Sequence, residues 1–287
     1  MPILSGVPDV LEIRAMTEPK MLDARWTDWL RNNMRLGCDL AELLGPLREA
    51  GYSDEAIAAG LDAVRPTHDS LASGDLPPPP LIRRMPPKLR RFDSPKLELY
   101  ILDDFLSRKE CERLTALIAH HLRPSNVTFD NGDRYHRTSQ TSHLSHLKSP
   151  VAIGIDDKIC KTLGIRPEYA EGIQAQRYDV GQQFKPHWDY FEPGSKEFLR
   201  FAGTRGNRTW TFMVYLNEGM EGGGTRFTKL DHTFAPKTGM ALLWNNLNAD
   251  GTPNEATMHS GEPVIAGHKV IITKWFRAIG DGPVYYE

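Results

Sequence analysis

The second half of the chain alternates short apolar runs with turn-forming residues, and this texture limits the fold more than any other feature. Between residues 210 and 276 the runs WTFMVYL and MALLW, and the adjoining runs VIIT and KWF, are separated by segments that contain Gly, Asn, Asp and Pro. Runs of this length and spacing are typical of an antiparallel β sandwich or barrel. Upstream, LELYILDDFL begins as a strand, and SRKECERLTALIAHHL indicates an amphipathic helix capped by Ser107. We therefore predict a mainly β domain with flanking helices over residues 96–287.

Residues 1–69 are predicted to form a small helical module. Apolar residues recur there at helical spacing in three segments, namely Trp26, Trp29, Leu30, Met34 and Leu36, then Leu40, Leu43, Leu44 and Leu47, then Ile57, Leu61 and Val64. Gly51 is placed to end the second helix, and Ser53 is placed to begin the third. The pattern fits a cap on the main domain, and it also fits a bundle that binds a partner protein.

Residues 70–95 are predicted to be a proline-rich, basic linker. The run Pro77–Pro80 enforces extended polyproline geometry, and five basic residues follow between positions 83 and 91. The chain as a whole has a formal net charge of −2, and no aromatic ladder accompanies the basic run. Nucleic acid is therefore not an expected partner. No stretch approaches the roughly 20 apolar residues of a membrane span, and the first residues lack the pattern of a signal peptide.

The three cysteines, Cys38, Cys111 and Cys160, are scattered and form no CxxC pair. An odd number of dispersed cysteines is typical of a reduced compartment, where disulfides are rare. We therefore expect buried, unpaired thiols and a cytoplasmic location.

The segment RYDVGQQFKPHWDYF, residues 177–191, contains a candidate metal site. His187 and Asp189 are two residues apart, so on a β-strand both side chains point to the same face and can reach one ion. A later histidine, His259 in the segment TMHSGEP, could complete a set of two histidines and one carboxylate. Such a facial triad leaves coordination positions open and suits non-haem Fe(II).

Lys269 lies in the last apolar strand and points to a second charged ligand. By alternation it shares a face with Ile271, Thr273 and Trp275. A lysine directed into such surroundings is costly unless it meets an anion. A dicarboxylate co-substrate such as 2-oxoglutarate would supply that anion.

From about residue 97 to 279 the chain resembles the prolyl 4-hydroxylase group of the iron- and 2-oxoglutarate-dependent dioxygenases. The matching segments, in order, are DDFLSRKEC, HRTS, RYDVGQQFKPHWDYF, NRTWTFMVYLNEGMEGGGTRF, PKTGMALLW, DGTPNEATMHSGEPVIAGHK and TKWF. The resemblance implies a double-stranded β-helix (jelly-roll) core with flanking helices.

The resemblance also implies a role for individual residues. It assigns Fe(II) to His187, Asp189 and His259, and it assigns the distal carboxylate of 2-oxoglutarate to Lys269. It places three residues around the co-substrate, namely Tyr178, Thr211 and Tyr215. It places Arg208 and Trp275 at the catalytic centre, and Arg137, Thr138 and Tyr190 along the substrate cleft.

Two positions depart from the family pattern. Gly224 stands where the family usually has a glutamate, which we expect to be a small change in a loop. Arg277 stands where many prolyl hydroxylases have a histidine two residues after the tryptophan. An arginine at the mouth of the site could bind the carboxylate of a free amino acid, and it could equally form an ordinary ion pair.

The expected function is hydroxylation of an unactivated C–H bond of proline or a proline-like amino acid. The substrate is either a free cyclic amino acid or a prolyl residue in a peptide. Fe(II), 2-oxoglutarate and O2 are the expected cofactor and co-substrates, with stimulation by ascorbate and release of succinate. Zinc-dependent hydrolysis at the same triad and an inactive oxygenase fold that serves as a binding or sensor protein are the alternatives. The carboxylate of Asp189 favours hydroxylation over halogenation, and the sequence does not specify an oligomeric state.

Overall fold

The computed structural model of the protein describes residues 21–35, 40–64, 79–82, 86–125, 136–195 and 197–286. The chain separates near residue 65 into two compact units. Among the described residues, no helix is long and apolar enough to cross a bilayer.

The first unit contains three helices, α1 (Ala24–Arg35), α2 (Leu40–Glu49) and α3 (Asp54–Val64). Their apolar faces bury Leu30, Leu47 and Ile57 in a core of their own. The positive φ of Gly51 ends the turn after α2, and the Ser53 hydroxyl accepts a hydrogen bond from the Ala56 N–H at the start of α3. The three predicted helices are confirmed. The position of Leu36 lies outside the described residues.

The second unit is built on antiparallel sheets. Its strands are β1 (Leu89–Arg91), β2 (Leu99–Leu102), β3 (Arg123–Pro124), β4 (Gln140–His143), β5 (Gln174–Tyr178), β6 (Phe184–His187), β7 (Arg208–Tyr215), β8 (Glu221–Gly222), β9 (Thr225–Phe227), β10 (His232–Phe234), β11 (Ala241–Asn245), β12 (His259–Gly261), β13 (Val264–Ala266) and β14 (Lys269–Arg277). One sheet has the order β1-β2-β11-β7-β14-β5-β4-β3 and a second has the order β10-β9-β12-β6. Strands β13 and β8 form a small separate ladder.

Alternation along the strands separates two cores. One core contains Met213 and Trp244 of the eight-stranded sheet together with Phe227 and Phe234 of the four-stranded sheet, so it lies between the sheets. The other core covers the opposite face of the larger sheet. There, α4 (Arg108–Ala119) and α5 (Pro150–Leu163) pack their buried residues against it. The predicted jelly roll with flanking helices is confirmed.

The second unit begins earlier than the sequence indicated. Strand β1 lies inside the stretch predicted to be a linker, and it pairs with β2. The Pro80 carbonyl accepts a hydrogen bond from Trp210 Nε1, and the Leu81 N–H donates one to the Tyr285 hydroxyl. Residues 79–82 and 86–95 are therefore part of this unit, because their backbone groups pair with its strands and side chains.

Candidate active site

Two short strands bring the predicted metal ligands together. His187 ends β6, His259 begins β12, and the two residues lie directly opposite each other in the antiparallel ladder. Asp189 follows β6, and its carboxylate oxygens lie 3.9 Å from His187 Nε2 and 3.8 Å from His259 Nε2. The potential ligand atoms all lie within 4.8 Å of one another. One ion can therefore contact all three side chains.

Backbone carbonyls set the tautomer of both histidines. His187 Nδ1 lies 2.8 Å from the Lys185 carbonyl, and His259 Nδ1 lies 2.9 Å from the Thr257 carbonyl. Because a carbonyl can only accept a hydrogen bond, each Nδ1 carries the proton and each Nε2 presents its lone pair toward Asp189. The pKa of His187 lies well below its usual range, because burial and then the nearby His259 disfavour the charged form. Two imidazoles and one carboxylate fit Fe(II).

Lys269 lies in the same pocket as the triad and is 1 % exposed. Among the described residues, no carboxylate lies within ion-pair distance of its ammonium group, and Glu262 influences it only at longer range. Its Nζ lies 5.1 Å from the ring centroid of Tyr178 and 5.7 Å from that of Tyr215. Burial lowers the pKa of Lys269 to about 7. A buried cation without a partner is suited to receive an anionic ligand.

The pocket contains some of the predicted residues and excludes others. The triad and Lys269 line it together with Arg137, Tyr178 and Trp275, and with Gln176, Phe184, Met213, Thr225, Trp244, Gly261, Ile271 and Thr273. Arg208, Thr211, Tyr215, Tyr190 and Arg277 are not among the lining residues.

Thr211 and Tyr215 are not among the lining residues, and each is hydrogen-bonded to a residue that is, so their place beside the co-substrate stays a prediction. The Thr211 hydroxyl donates a 2.7 Å hydrogen bond to Asp189 Oδ2. The Tyr215 hydroxyl lies 2.6 Å from Oγ1 of Thr225, and Thr225 itself lines the pocket. These side chains therefore support residues of the site through hydrogen bonds.

Arg208 also acts from behind the site. Its guanidinium lies 3.9 Å from the ring centroid of Trp275, and its Nη1 lies 3.4 Å from the Asp189 carbonyl oxygen. Arg208 Nε and Nη2 donate to the two carboxylate oxygens of Glu171 at 2.7 and 2.8 Å. Arg208 therefore braces the backbone of the carboxylate ligand and one wall of the pocket.

Arg277 is committed to the same glutamate, which corrects the expectation that it stands at the mouth of the site. Its Nη1 donates to Glu171 Oε1 at 2.8 Å, its Nε donates to the Gly206 carbonyl, and its Nη2 donates to the Phe201 carbonyl. The side chain is only 4 % exposed. The strand pairing shifts between Trp275 and Arg277, with one extra residue on β7, so Arg277 pairs with Arg208.

Glu171 is a functional candidate that the motifs did not reveal. Burial alone would raise the pKa of its carboxyl group, but the guanidinium groups of Arg208 and Arg277 hold the pKa well below its usual range. Glu171 precedes β5 in an irregular segment and belongs to no recognisable motif. The available signal was indirect, since two buried arginines on paired strands require a carboxylate between them.

Two predicted substrate residues differ in their access to the pocket. Arg137 is half-buried and lines the pocket, where its Nε and Nη2 donate to hydroxyls of Ser139 and Thr141 at 3.2 and 3.1 Å. Tyr190 is buried, and its ring is stacked on Trp188 with centroids 5.5 Å apart. Thr138 hydrogen-bonds the backbone of Gln183.

Steric crowding explains why position 224 is a glycine. A Cβ atom there would lie 2.5 Å from the Thr233 side chain and 3.1 Å from Glu262 Oε2. The space that a side chain at this position would need is therefore already filled, in part by a carboxylate from another strand connection.

Cys111 and Cys160 are buried and unpaired, as predicted. Burial raises the pKa of the Cys111 thiol to about 11 and that of Cys160 to about 12. Both thiols are therefore protonated and unreactive near neutral pH. Cys38 lies outside the described residues, and the cytoplasmic location stays a prediction.

Comparisons with known proteins agree with this geometry. Residues 173–277 match the sequence profile of the 2OG-Fe(II) oxygenase superfamily. The chain is 31% identical over 193 residues to prolyl 4-hydroxylase subunit alpha-1 of Bos taurus, a match that covers 66% of this chain and 36% of the relative. It is 31% identical over 192 residues to prolyl 4-hydroxylase subunit alpha-3 of Mus musculus, covering 65% and 34%. The chain thus spans about a third of the length of these relatives.

A solved structure extends the match to the fold. The viral collagen prolyl hydroxylase of Paramecium Bursaria Chlorella virus-1, in its 2OG complex, is 26% identical and superposes with a TM-score of 0.51. The match covers 63% of this chain and 96% of the viral chain.

Proposed function

This chain carries a 2OG-Fe(II) oxygenase domain of the prolyl 4-hydroxylase type, and on that premise we propose that it hydroxylates prolyl residues of a peptide. The observation that carries the proposal is one pocket that contains His187, Asp189 and His259 together with the buried Lys269, which has no carboxylate partner among the residues that the structure describes.

The proposal gives the metal triad and Lys269 different roles. His187, Asp189 and His259 hold Fe(II), and the Lys269 ammonium binds the distal carboxylate of 2-oxoglutarate. When bound, Fe(II) and 2-oxoglutarate would supply the oxidising chemistry for a C–H bond with O2 as the oxidant: one oxygen atom would enter the hydroxylated product and the other succinate, with release of carbon dioxide. The apolar walls that Met213 and Ile271 contribute exclude water from the co-substrate.

The surroundings of Arg277 favour a peptide over a free amino acid. An anchor for a free carboxylate must have hydrogen-bond donors that face the substrate. Arg277 instead directs its guanidinium to Glu171 and to two backbone carbonyls, outside the pocket. Among the described residues, two arginine or lysine side chains line the pocket, Arg137 and Lys269. Lys269 is assigned to the co-substrate.

The alternative of an inactive binding or sensor protein is not favoured. Inactivity would be expected from loss of a ligand or of the lysine, and the chain has all four side chains in one pocket. The tautomers set by the Lys185 and Thr257 carbonyls also suit metal binding and have no evident purpose in a purely structural site.

The test is a substrate panel assayed with Fe(II), ascorbate and 2-oxoglutarate. It compares free L-proline, a proline peptide with both ends blocked, and the same peptide with free ends, with succinate and hydroxylated product measured by mass spectrometry. We expect the blocked peptide to be hydroxylated. Turnover of free proline alone would contradict the peptide proposal, and absence of turnover with every substrate would argue against this substrate class.

Matched histidine variants test the site assignment in the same assay. His187→Ala is expected to lose activity, because the metal loses one of its three protein ligands. His120→Ala is the control, since this exposed histidine ends α4 far along the chain from the triad. Equal activity of wild type and His187→Ala would refute the ligand assignment.

A further inference from the structure

We propose that Thr211 and Asn246 are positioning residues that fix the carboxylate of Asp189 for metal binding through one oxygen atom. The inference rests on the proposed function in one respect, since it takes Asp189 as a metal ligand. It assigns to Thr211 a task different from contact with the co-substrate, and it adds a residue that no motif of the sequence indicated.

The three side chains form one buried chain of hydrogen bonds. Asn246 Nδ2 donates to Thr211 Oγ1 at 2.9 Å, and Thr211 Oγ1 donates to Asp189 Oδ2 at 2.7 Å. Thr211 and Asn246 are completely buried, and Asp189 is 6 % exposed. Water therefore does not compete for these hydrogen bonds, and the short contact to an ionised carboxylate is of the stronger, charge-assisted kind.

The chain has a fixed direction. An amide nitrogen can only donate, so Thr211 must accept from Asn246 and can give its single proton only to Asp189. Without Asn246, the hydroxyl could rotate toward another acceptor. The hydrogen bond to Oδ2 draws electron density from that oxygen, which leaves Oδ1 as the better ligand. Oδ1 lies 3.9 Å from His187 Nε2, and the hydrogen-bonded Oδ2 lies 3.8 Å from His259 Nε2.

The backbone holds Asn246 rigidly at the end of β11. Its N–H donates to the Thr209 carbonyl at 2.6 Å, and its carbonyl accepts from the Asn254 N–H at 3.0 Å. The position of the donor is thus set by β7 and by the loop that leads to His259.

Asn246 is retained at an energetic cost. Its side-chain oxygen Oδ1 is buried and has no hydrogen-bond partner within the described part of the chain. An unsatisfied buried acceptor costs about 1–3 kcal/mol, so an apolar residue of similar shape would stabilise the fold better. Asn246 Nδ2 donates to Thr211, and Thr211 donates to the metal ligand Asp189. This role explains why an asparagine occupies the position.

The experiment measures Co(II) and Fe(II) binding to the full chain by anaerobic calorimetry, without substrate or 2-oxoglutarate. Thr211→Val removes the hydroxyl while keeping the side-chain volume, and we expect metal affinity to fall about 10–100-fold, the usual effect of losing a partner of a metal ligand. Thr211→Ser keeps the hydroxyl and is expected to stay within about threefold of wild type. Asn246→Leu should weaken binding by an intermediate factor.

Thr209→Val is the matched control. Thr209 lies on the same strand and is equally buried, but its hydroxyl donates to the Phe276 carbonyl and touches no metal ligand. We expect Thr209→Val and Thr211→Val to lower the melting temperature of the metal-free protein similarly, while only Thr211→Val loses metal affinity.

Two results would overturn the inference while leaving the proposed function intact. One is wild-type metal affinity in Thr211→Val, and the other is an equal loss of affinity in Thr209→Val. A wild-type protein that binds neither metal would instead overturn the proposed function, and the inference with it.

Discussion

Strand β14 buries two lysines on its opposite faces, and their surroundings differ. Lys274 is 2 % exposed, and its ammonium lies 2.7 Å from Asp156 Oδ1 and 2.7 Å from the Glu171 carbonyl. Lys269 is 1 % exposed, lines the pocket, and has no carboxylate within ion-pair distance among the described residues. The two residues share strand, burial and charge, so the difference between them lies in the partner.

The contrast separates a structural lysine from a binding lysine. A buried ammonium that is paired in the folded protein stabilises packing, as Lys274 does by tying α5 to the sheet. One that is unpaired makes the folded protein less stable and is retained where a ligand supplies the missing charge. Lys269 therefore indicates an anionic ligand more strongly than the triad does, since the triad indicates only a metal.

The largest expected effect on stability is an opposite change on replacing each lysine by methionine. Lys274→Met leaves Asp156 and the Glu171 carbonyl without their partner, so we expect the free energy of unfolding to fall by about 2 kcal/mol, a value reduced because Asp156 is 31% exposed. Lys269→Met removes an unpaired buried charge, and the ligand-free protein is expected to gain about 1–2 kcal/mol. Chemical denaturation of both variants measures the free energy of unfolding. Destabilisation by Lys269→Met would contradict the proposed difference between the two lysines.

The second effect is a pH dependence that belongs to Lys269. Burial lowers its pKa to about 7, so above that pH the ligand-free pocket contains a neutral amine that must take up a proton when a carboxylate binds. We expect the Kd for 2-oxoglutarate to change little with pH below about 7 and to rise above it by up to about tenfold per pH unit, or about 1.4 kcal/mol.

Lys269→Arg is the control for this dependence, because a guanidinium stays charged over the same range. Calorimetric titrations at several pH values should show the slope in wild type and a flat profile in the arginine variant, provided that the variant still binds. An identical slope in both proteins would assign the dependence to another group.

The smallest effect concerns Gly261, next to the lysine. A Cβ atom at this position would lie 3.6 Å from Lys269 Nζ and 3.7 Å from Phe184, which is ordinary contact distance. Gly261→Ala should therefore fold normally and cover one side of the ammonium, raising the Kd for 2-oxoglutarate about threefold, or by less than about 1 kcal/mol. Gly154→Ala, with open space around it, is the control. A large loss of stability would contradict the geometry.

The sequence predicted those parts of the site that depend on strand alternation and motif order. Alternation indicated that His187 and Asp189 can reach one ion and that Lys269 is directed into the core, and the resemblance implied the jelly roll and the third ligand, His259. Alternation did not reveal the partner of Arg277, which pairs with Arg208 across a register shift and donates to Glu171.

Contacts between segments that are distant along the chain could not be predicted from the sequence. The resemblance placed Thr211 beside the co-substrate, but no pattern indicates that its hydroxyl meets Asp189 and Asn246. Glu171 was missed because it lies in an irregular segment, where no period specifies a direction. Buried polar groups find their hydrogen-bond partners only in the assembled fold. Those partners determine the role of each of these residues.

The most direct test of the central claim is an anaerobic titration of 2-oxoglutarate into the Fe(II)-loaded protein, in wild type, Lys269→Met and Lys229→Met. Lys229 is an exposed lysine and serves as the control. If Lys269 receives the distal carboxylate, its methionine variant should bind at least about 100-fold more weakly, a loss of about 2.7 kcal/mol, while Lys229→Met binds as wild type does. Wild-type affinity in Lys269→Met would contradict the account.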